Sequence, residues 1–217
     1  MNQPLGAILR NAEAAEILLQ AEVPDLEELR AIVADIRKDD ERAGNVIDRL
    51  RTLLKRRELK LQTVDLVRTV KEVVALVRFD TTARRVRLET DLPHDLPPVR
   101  GDRVHLQQVL LNLIMNGMDA MEHSQDGARS MDIRARRAEE GLIEVAVSDS
   151  GPGIPRETLN RVFEPFFTTK DSGMGMGLTI SRTIVEAHAG RIWAENNATQ
   201  GATFAFTLKT APAAGAA

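Results

Sequence analysis

The sequence predicts an α+β protein in two parts, a helical hairpin followed by a mixed α and β region. Three observations carry this prediction. Apolar residues recur in steps of three and four from Leu26 to Leu54, the seam of one long helix. From about residue 60 the pattern changes to short alternating runs interleaved with helical stretches. Between Asp149 and Leu178 the chain reads DSGPGIPRETLNRVFEPFFTTKDSGMGMGL, a loop bounded by glycine turns that runs into an amphipathic segment, Leu178 to His188. Such a loop suits a flexible cover over a phosphate-bearing ligand, because the amides of a helix N-terminus attract anions and glycine allows close backbone approach.

The first helix follows from Leu5, Ile8, Ala12, Ala15 and Leu19, which share one stripe, with Pro4 tolerable near a helix start. Glu22-Val23-Pro24 breaks it, and Asp25 with Glu28 three residues on reads as the capping box of the second helix. There Leu26, Leu29, Val33, Ile36, Ala43, Ile47, Leu50 and Leu54 form the seam, and Asp40 fills its one gap. Lys55-Arg56-Arg57 closes the helix, where cations complement its dipole. Two helices alone bury too little apolar surface, so the hairpin is expected to pair with a second copy as a four-helix bundle. The alternative is an intramolecular hairpin packed on the rest of the chain.

Beyond the hairpin, Leu61–Leu66 reads as a short strand, Val67–Phe79 as a helix and Val86–Leu92 as a strand. The stretch His94-Asp95-Leu96-Pro97-Pro98 is a loop, after which Asp102 caps an apolar helix over Arg103–Met121. Met131–Ala138 and Leu142–Ser148 alternate around a Glu-Glu-Gly turn and form a hairpin, with Arg134 and Arg136 on its solvent face. Arg191–Glu195 and Ala202–Lys209 are two further strands. The expected organisation is a hairpin domain over 1–58, a mixed domain over 59–210 and a disordered tail over 211–217.

Composition narrows the function. A net charge of -3 over 217 residues provides no basic field for nucleic acid. Without cysteine there are no disulfides or thiolate metal sites, which suits a reducing compartment. No apolar run approaches a membrane span, and the N-terminus lacks a signal-peptide pattern, so a cytoplasmic chain without membrane contact is expected.

Two places carry candidate chemistry. In the helix 103–121, Asn112, Asn116 and Asp119 recur at i, i+4 and i+7 on one face, while Val109, Leu110, Leu113 and Ile114 spread over the apolar side. An amide oxygen is a hard ligand suited to Mg²⁺, although Asn116 could instead cap a helix break near Gly117. Asp149 ends a strand before Ser150-Gly151-Pro152-Gly153 and could accept a hydrogen bond from an exocyclic amine, or merely shape the turn.

Taken together, NLIMNGMDA, DSGPGIP, VFEPFFTTK, GMGMGL and GATFAFTL resemble, in order and spacing, the five boxes of the sensor histidine kinase ATP-binding domain. That domain belongs to the gyrase, heat-shock chaperone, histidine kinase and mismatch-repair ATPase superfamily. The resemblance covers about residues 60–210 and implies an α/β sandwich whose mixed sheet is covered by helices on one face. It implies ATP and Mg²⁺ as ligands, a homodimer through the hairpin, and a response-regulator receiver domain as partner.

By position, the resemblance makes Asn116 the Mg²⁺ ligand bridging the phosphates, with Asn112 and Asp119 beside it. Gyrase-type ATPases carry a water-activating Glu where this chain has Asn112; an amide cannot act as that base, so transfer is favoured over hydrolysis. Asp149 would hold the adenine amine, Gly151 and Gly153 would shape its pocket, and Thr203 would support it with its hydroxyl. Lys170 would contact phosphate, or else be a solvated lysine. Gly173, Gly175, Gly177 and Leu178 would bring backbone amides to the phosphates. Phe163, Phe166 and Phe167 would anchor the loop, a role compatible with core aromatics.

MNQPLGAILRNAEAAEILLQ resembles the run just after the phosphoacceptor box of the same kinases, commonly His-Glu-x-Asn-Gln-Pro-Leu. The acceptor His would fall two positions before Met1, so this chain is not expected to autophosphorylate. Gln3 matches the position where related kinases assist phosphatase chemistry. His94, His105, His123 and His188 lie outside that box and read as structural or solvated.

Overall fold

The structure, a computed structural model, describes residues 3–20, 25–37, 59–122, 129–139, 141–169 and 175–212. It divides into two compact units, Met1–Arg57 and Glu58–Ala217.

The first unit contains helix α1 (Gln3–Leu19) and a second helix, α2, described over 26–37. Pro4 sits in the first turn of α1, where its missing N–H has no intrahelical acceptor to lose. Asp25 caps α2, its Oδ1 accepting from the backbone N–H groups of Glu27 and Glu28 at 2.9 and 3.1 Å. Large apolar side chains stay uncovered on both helices: Leu9, Ile17, Leu19, Leu26 and Val33 are each 60–70% exposed, while the stripe residues Ile8, Ala12, Ala15, Leu29 and Ile36 are half-buried. The rest of the seam, from Ala43 to Leu54 with Asp40, and the Lys55-Arg56-Arg57 stop lie outside the described residues.

The second unit is built on a five-stranded sheet of order β2-β4-β5-β7-β6. Its strands are β2 (Arg87–Asp91), β4 (Ser130–Arg137), β5 (Leu142–Asp149), β6 (Ile192–Asn196) and β7 (Ala202–Lys209). β2 runs parallel to β4 and all other neighbours are antiparallel, which makes the sheet mixed as expected. Helices α3 (Leu66–Ala83), α4 (Arg103–Ala120) and α5 (Gly177–Ala187) cover one face. The core lies between, where Leu106, Leu110, Leu113 and Ile114 of α4 meet Ile133, Ile143, Val145 and Phe206 of the sheet, all fully buried.

The helix starts are written in the sequence. Asp65 accepts from the N–H of Arg68, and Asp102 accepts from the N–H groups of Val104 and His105. The cap at Asp65 places Leu66 in α3, so the expected strand shortens to β1 (Gln62–Val64). β1 pairs with β3 (Val99–Gly101), a strand absent from the sequence reading: three residues after a Pro-Pro pair show no period to detect.

Two histidines close the end of this unit. His188 caps α5, its Nδ1–H donating to the Ile184 carbonyl at 2.7 Å while Nε2 accepts from the N–H of Asp102 at 2.9 Å. Those partners require the neutral ring, and burial holds its pKa below the ordinary histidine value. His105 meets it edge-on at 6.1 Å. Both are structural, as expected; His94 lies in a turn, and His123 is outside the described residues. Of the three clustered phenylalanines, only Phe163 packs on the core, edge-to-face on Phe204 at 6.2 Å. Phe167 lies under Arg161 at 4.9 Å, and Phe166 is 71% exposed with φ 64°, so it is not a core aromatic.

Candidate functional site

The site forms where β5 ends beneath α4 and beside the start of α5. Along β5 the buried residues alternate as Ile143, Val145, Val147 and then Asp149, so the carboxylate continues an apolar row and faces the helices. Desolvation raises its pKa; two backbone donors work against that shift, the N–H of Gly151 at 2.9 Å and of Ala202 at 3.4 Å, both on Oδ1. With Oδ1 so engaged, Oδ2 is the oxygen available to an incoming donor.

Small residues keep room around it. A Cβ on Gly117 would lie 2.5 Å from Met131 Cε and 3.3 Å from Asp149 Cβ, so glycine lets α4 cross directly over the acid. Gly151 is equally constrained, since its Cβ would approach Asp149 Oδ1 to 2.9 Å. Gly153 takes φ +80° in a turn clasped by Asn196, whose Oδ1 accepts from the Ile154 N–H and whose Nδ2 donates to the Ile154 carbonyl, each at 2.7 Å. Asn196 was not singled out from the sequence, because its partner lies 42 residues away.

Asn112 and Asn116 reach the same region from α4. A Cβ on Gly177 would lie 4.0 Å from both Asn112 Cγ and Asn116 Nδ2, so the two carboxamides stand beside the first turn of α5. Asn112 Nδ2 donates to the Gly177 carbonyl at 3.3 Å and to Ser181 Oγ at 3.4 Å. Unlike α3 and α4, α5 has no side-chain cap on its N-terminal amides. That first turn, with Gly177 and Leu178, has the donors and dipole of an anion site. Gly175 takes φ +64° and packs against the Phe166–Phe167 peptide, where a Cβ would come within 2.3 Å of the Phe167 carbonyl oxygen. Lys170 and Gly173 lie outside the described residues.

Two expected residues sit differently within the arrangement. Asp119 pairs with Arg84 at 2.7 Å, joining α4 to the end of α3. Thr203 is the register partner of Ser148 on the outer face of the sheet, and its hydroxyl lies between Ser148 Oγ and Asn197 Oδ1, 2.6 Å from each.

Gly201 is a further residue the sequence reading missed. It has φ +94°, and a Cβ there would fall 1.8 Å from the Asp149 carbonyl oxygen. Gly201→Ala is therefore expected to combine a clash with backbone strain and lower unfolding stability by about 3 kcal/mol. Chemical denaturation measures this directly; a loss below about 1 kcal/mol would show that the turn relaxes easily.

Among the described residues no group of His, Asp and Glu forms a protein-only metal cage, and no helix is long and apolar enough to cross a membrane. A hard cation held between carboxamides and ligand phosphates needs no such cage, so the donor set fits Mg²⁺.

Residues 101–212 match the family described as histidine kinase-, DNA gyrase B-, and HSP90-like ATPase. The sensor protein FixL of Bradyrhizobium diazoefficiens is 40% identical over 212 residues, which is 97% of this chain and 42% of FixL. The chain thus spans less than half the length of that relative. The catalytic domain of histidine kinase ThkA is 31% identical with a TM-score of 0.62, over 70% of this chain and 96% of that domain. ThkA in complex with the response regulator TrrA has the same fold over 96% of this chain and 59% of the ThkA chain, at a TM-score of 0.72 and 23% identity. The match spans more than half of the chain and contains the carboxamides, the buried acid and the glycine turns, and so this chain belongs to the histidine kinase-, DNA gyrase B-, and HSP90-like ATPase family, as a catalytic domain of the histidine kinase type.

Proposed function

We propose that this chain binds Mg·ATP and serves as the catalytic end of a dimeric sensor histidine kinase, handing the γ-phosphoryl to a histidine for relay to a response-regulator aspartate. The observation that carries the reading is that α4 crosses Asp149 at Gly117 and sets the Asn112–Asn116 pair beside the uncapped start of α5. Asp149 Oδ2 accepts the adenine amine, the first turn of α5 receives phosphate oxygens, and Asn116 supplies an amide oxygen to the metal. Mg²⁺, when bound, neutralises charge across the phosphates. Asn112 offers no base to activate water, which favours transfer over hydrolysis.

The hairpin is the dimerisation part, because the uncovered apolar residues of α1 and α2 need a second copy to bury them. The phosphoryl acceptor is the histidine expected just upstream of Asn2-Gln3-Pro4-Leu5. A receiver domain is the onward partner, in keeping with the regulator complex of ThkA. ATP as donor puts the reaction in the cytoplasm.

Calorimetric titration with a non-hydrolysable ATP analogue, with and without Mg²⁺, tests the reading. Binding strengthened at least tenfold by Mg²⁺ is expected. A folded sample with no binding in either condition would overturn it.

A further inference from the structure

Asn197, half-buried between β6 and β7, ties that loop to the end of β5 and to β7. Its Nδ2 donates to the backbone carbonyl of Asp149 at 2.9 Å and to that of Gln200 at 3.1 Å. Its Oδ1 accepts from the Thr203 hydroxyl at 2.6 Å. Since Thr203 spends its single proton there, the 2.6 Å contact between Ser148 and Thr203 has Ser148 as donor. The backbone N–H of Asn197 donates to the Gly201 carbonyl at 2.9 Å. Both amide protons and the amide oxygen are therefore committed, and the carboxamide has one orientation.

The result is a directed chain, Ser148 to Thr203 to Asn197 to the Asp149 carbonyl, that runs on the side of the sheet away from the Asp149 carboxylate. The carboxylate itself is held by the N–H groups of Gly151 and Ala202. Asp149 is thus fixed twice, at the side chain by the loop amides and at the backbone by Asn197. We infer that Asn197 is the positioning residue that sets selectivity for a base carrying an exocyclic amine, by holding the Asp149 backbone so that Oδ2 meets that amine at hydrogen-bond distance. Thr203 acts through Asn197, from the outer face of the sheet. This rests on the nucleotide reading above.

A base with a carbonyl in place of the amine sets an acceptor against Oδ2, so it gains no bond from the place where Asp149 is held. The test is the ratio of dissociation constants for ADP and inosine diphosphate, measured by calorimetry in the full chain. Wild type should prefer ADP. Asn197→Ala should lower that preference about tenfold, the weight of one charge-assisted hydrogen bond, while changing inosine diphosphate affinity less than about twofold. Thr203→Val, which keeps shape but removes both the proton given to Asn197 Oδ1 and the acceptor of the Ser148 hydroxyl, should lower the preference about threefold and decides the matter if Asn197→Ala does not fold. Equal losses for both nucleotides, or an unchanged preference in either folded variant, would overturn the inference while leaving ATP binding in place. A wild type that binds neither nucleotide would overturn both.

Discussion

Asp149→Asn is expected to weaken ADP binding more than about a hundredfold and, at the same time, to raise the melting temperature of the ligand-free protein. The two effects share one cause. Asp149 stands at the end of the buried row Ile143, Val145, Val147, where its charge is desolvated and its pKa is raised. In the variant, the amide oxygen keeps the bonds from Gly151 and Ala202, which places the amide nitrogen where Oδ2 was. A donor then faces the donor amine of adenine, so the loss includes both the missing charged acceptor and the new mismatch.

Stability moves the opposite way. A carboxyl whose folded pKa lies above its unfolded value stabilises fully below the unfolded value, about 3.9, and loses that contribution as pH rises through the folded value. Once ionised, Asp149 is a burden on the fold, which the neutral amide removes. The gain in melting temperature should therefore be greatest near pH 7 and shrink on acidification towards pH 4. Thermal melts across that range, beside the ADP titration, check both halves. Binding within tenfold of wild type would remove Asp149 from base recognition, and a lower melting temperature at pH 7 would refute the linkage argument.

The parts of the fold legible in the sequence are those with a local cause. α4 begins where Asp102 can cap it, and β5 shows its two faces through strict alternation that ends on the acid. Gly151, Gly153 and Gly175 declared tight turns or close approach, and a Cβ at each would come within 3.0 Å of a neighbouring atom. What stayed hidden depends on partners far along the chain. β3 exists because Val99 meets Val64, and three residues carry no period. Asn196 and Asn197 look like ordinary turn residues until their carboxamides are seen bonded to Ile154 and Asp149, more than forty positions away. Asp119 shares a helical face with Asn112 and Asn116, but spacing alone says nothing of Arg84, which claims it from the end of α3. Phe166 misled because apolar content suggests burial, whereas its backbone at φ 64° turns the ring out to solvent.

Asn116→Ala is expected to abolish the Mg²⁺-dependent part of nucleotide binding, with little loss of fold. Alanine suits a helix interior better than asparagine, and Asn116 is only half-buried, so α4 should form as before. What the metal would lose is the oxygen of a carboxamide that stands beside the first turn of α5. Binding without Mg²⁺ should fall less than about threefold, because Asp149 and the α5 amides remain, while the at least tenfold gain on adding Mg²⁺ should vanish. Asn116→Asp separates the two ways an asparagine could serve here. If the side chain gives an oxygen to the metal, the carboxylate does the same: Mg²⁺ enhancement survives in Asn116→Asp, and Mg²⁺-free binding weakens because the carboxylate repels the phosphates. If instead the side chain donates N–H to a phosphate, aspartate has nothing to donate and adds repulsion, so it should be poorer than alanine in both conditions. Titrations of the two variants with and without Mg²⁺ therefore distinguish a metal ligand from a phosphate donor at one position, and loss of enhancement in Asn116→Asp would move the metal to another ligand, with Asn112 the adjacent candidate on the same helix face.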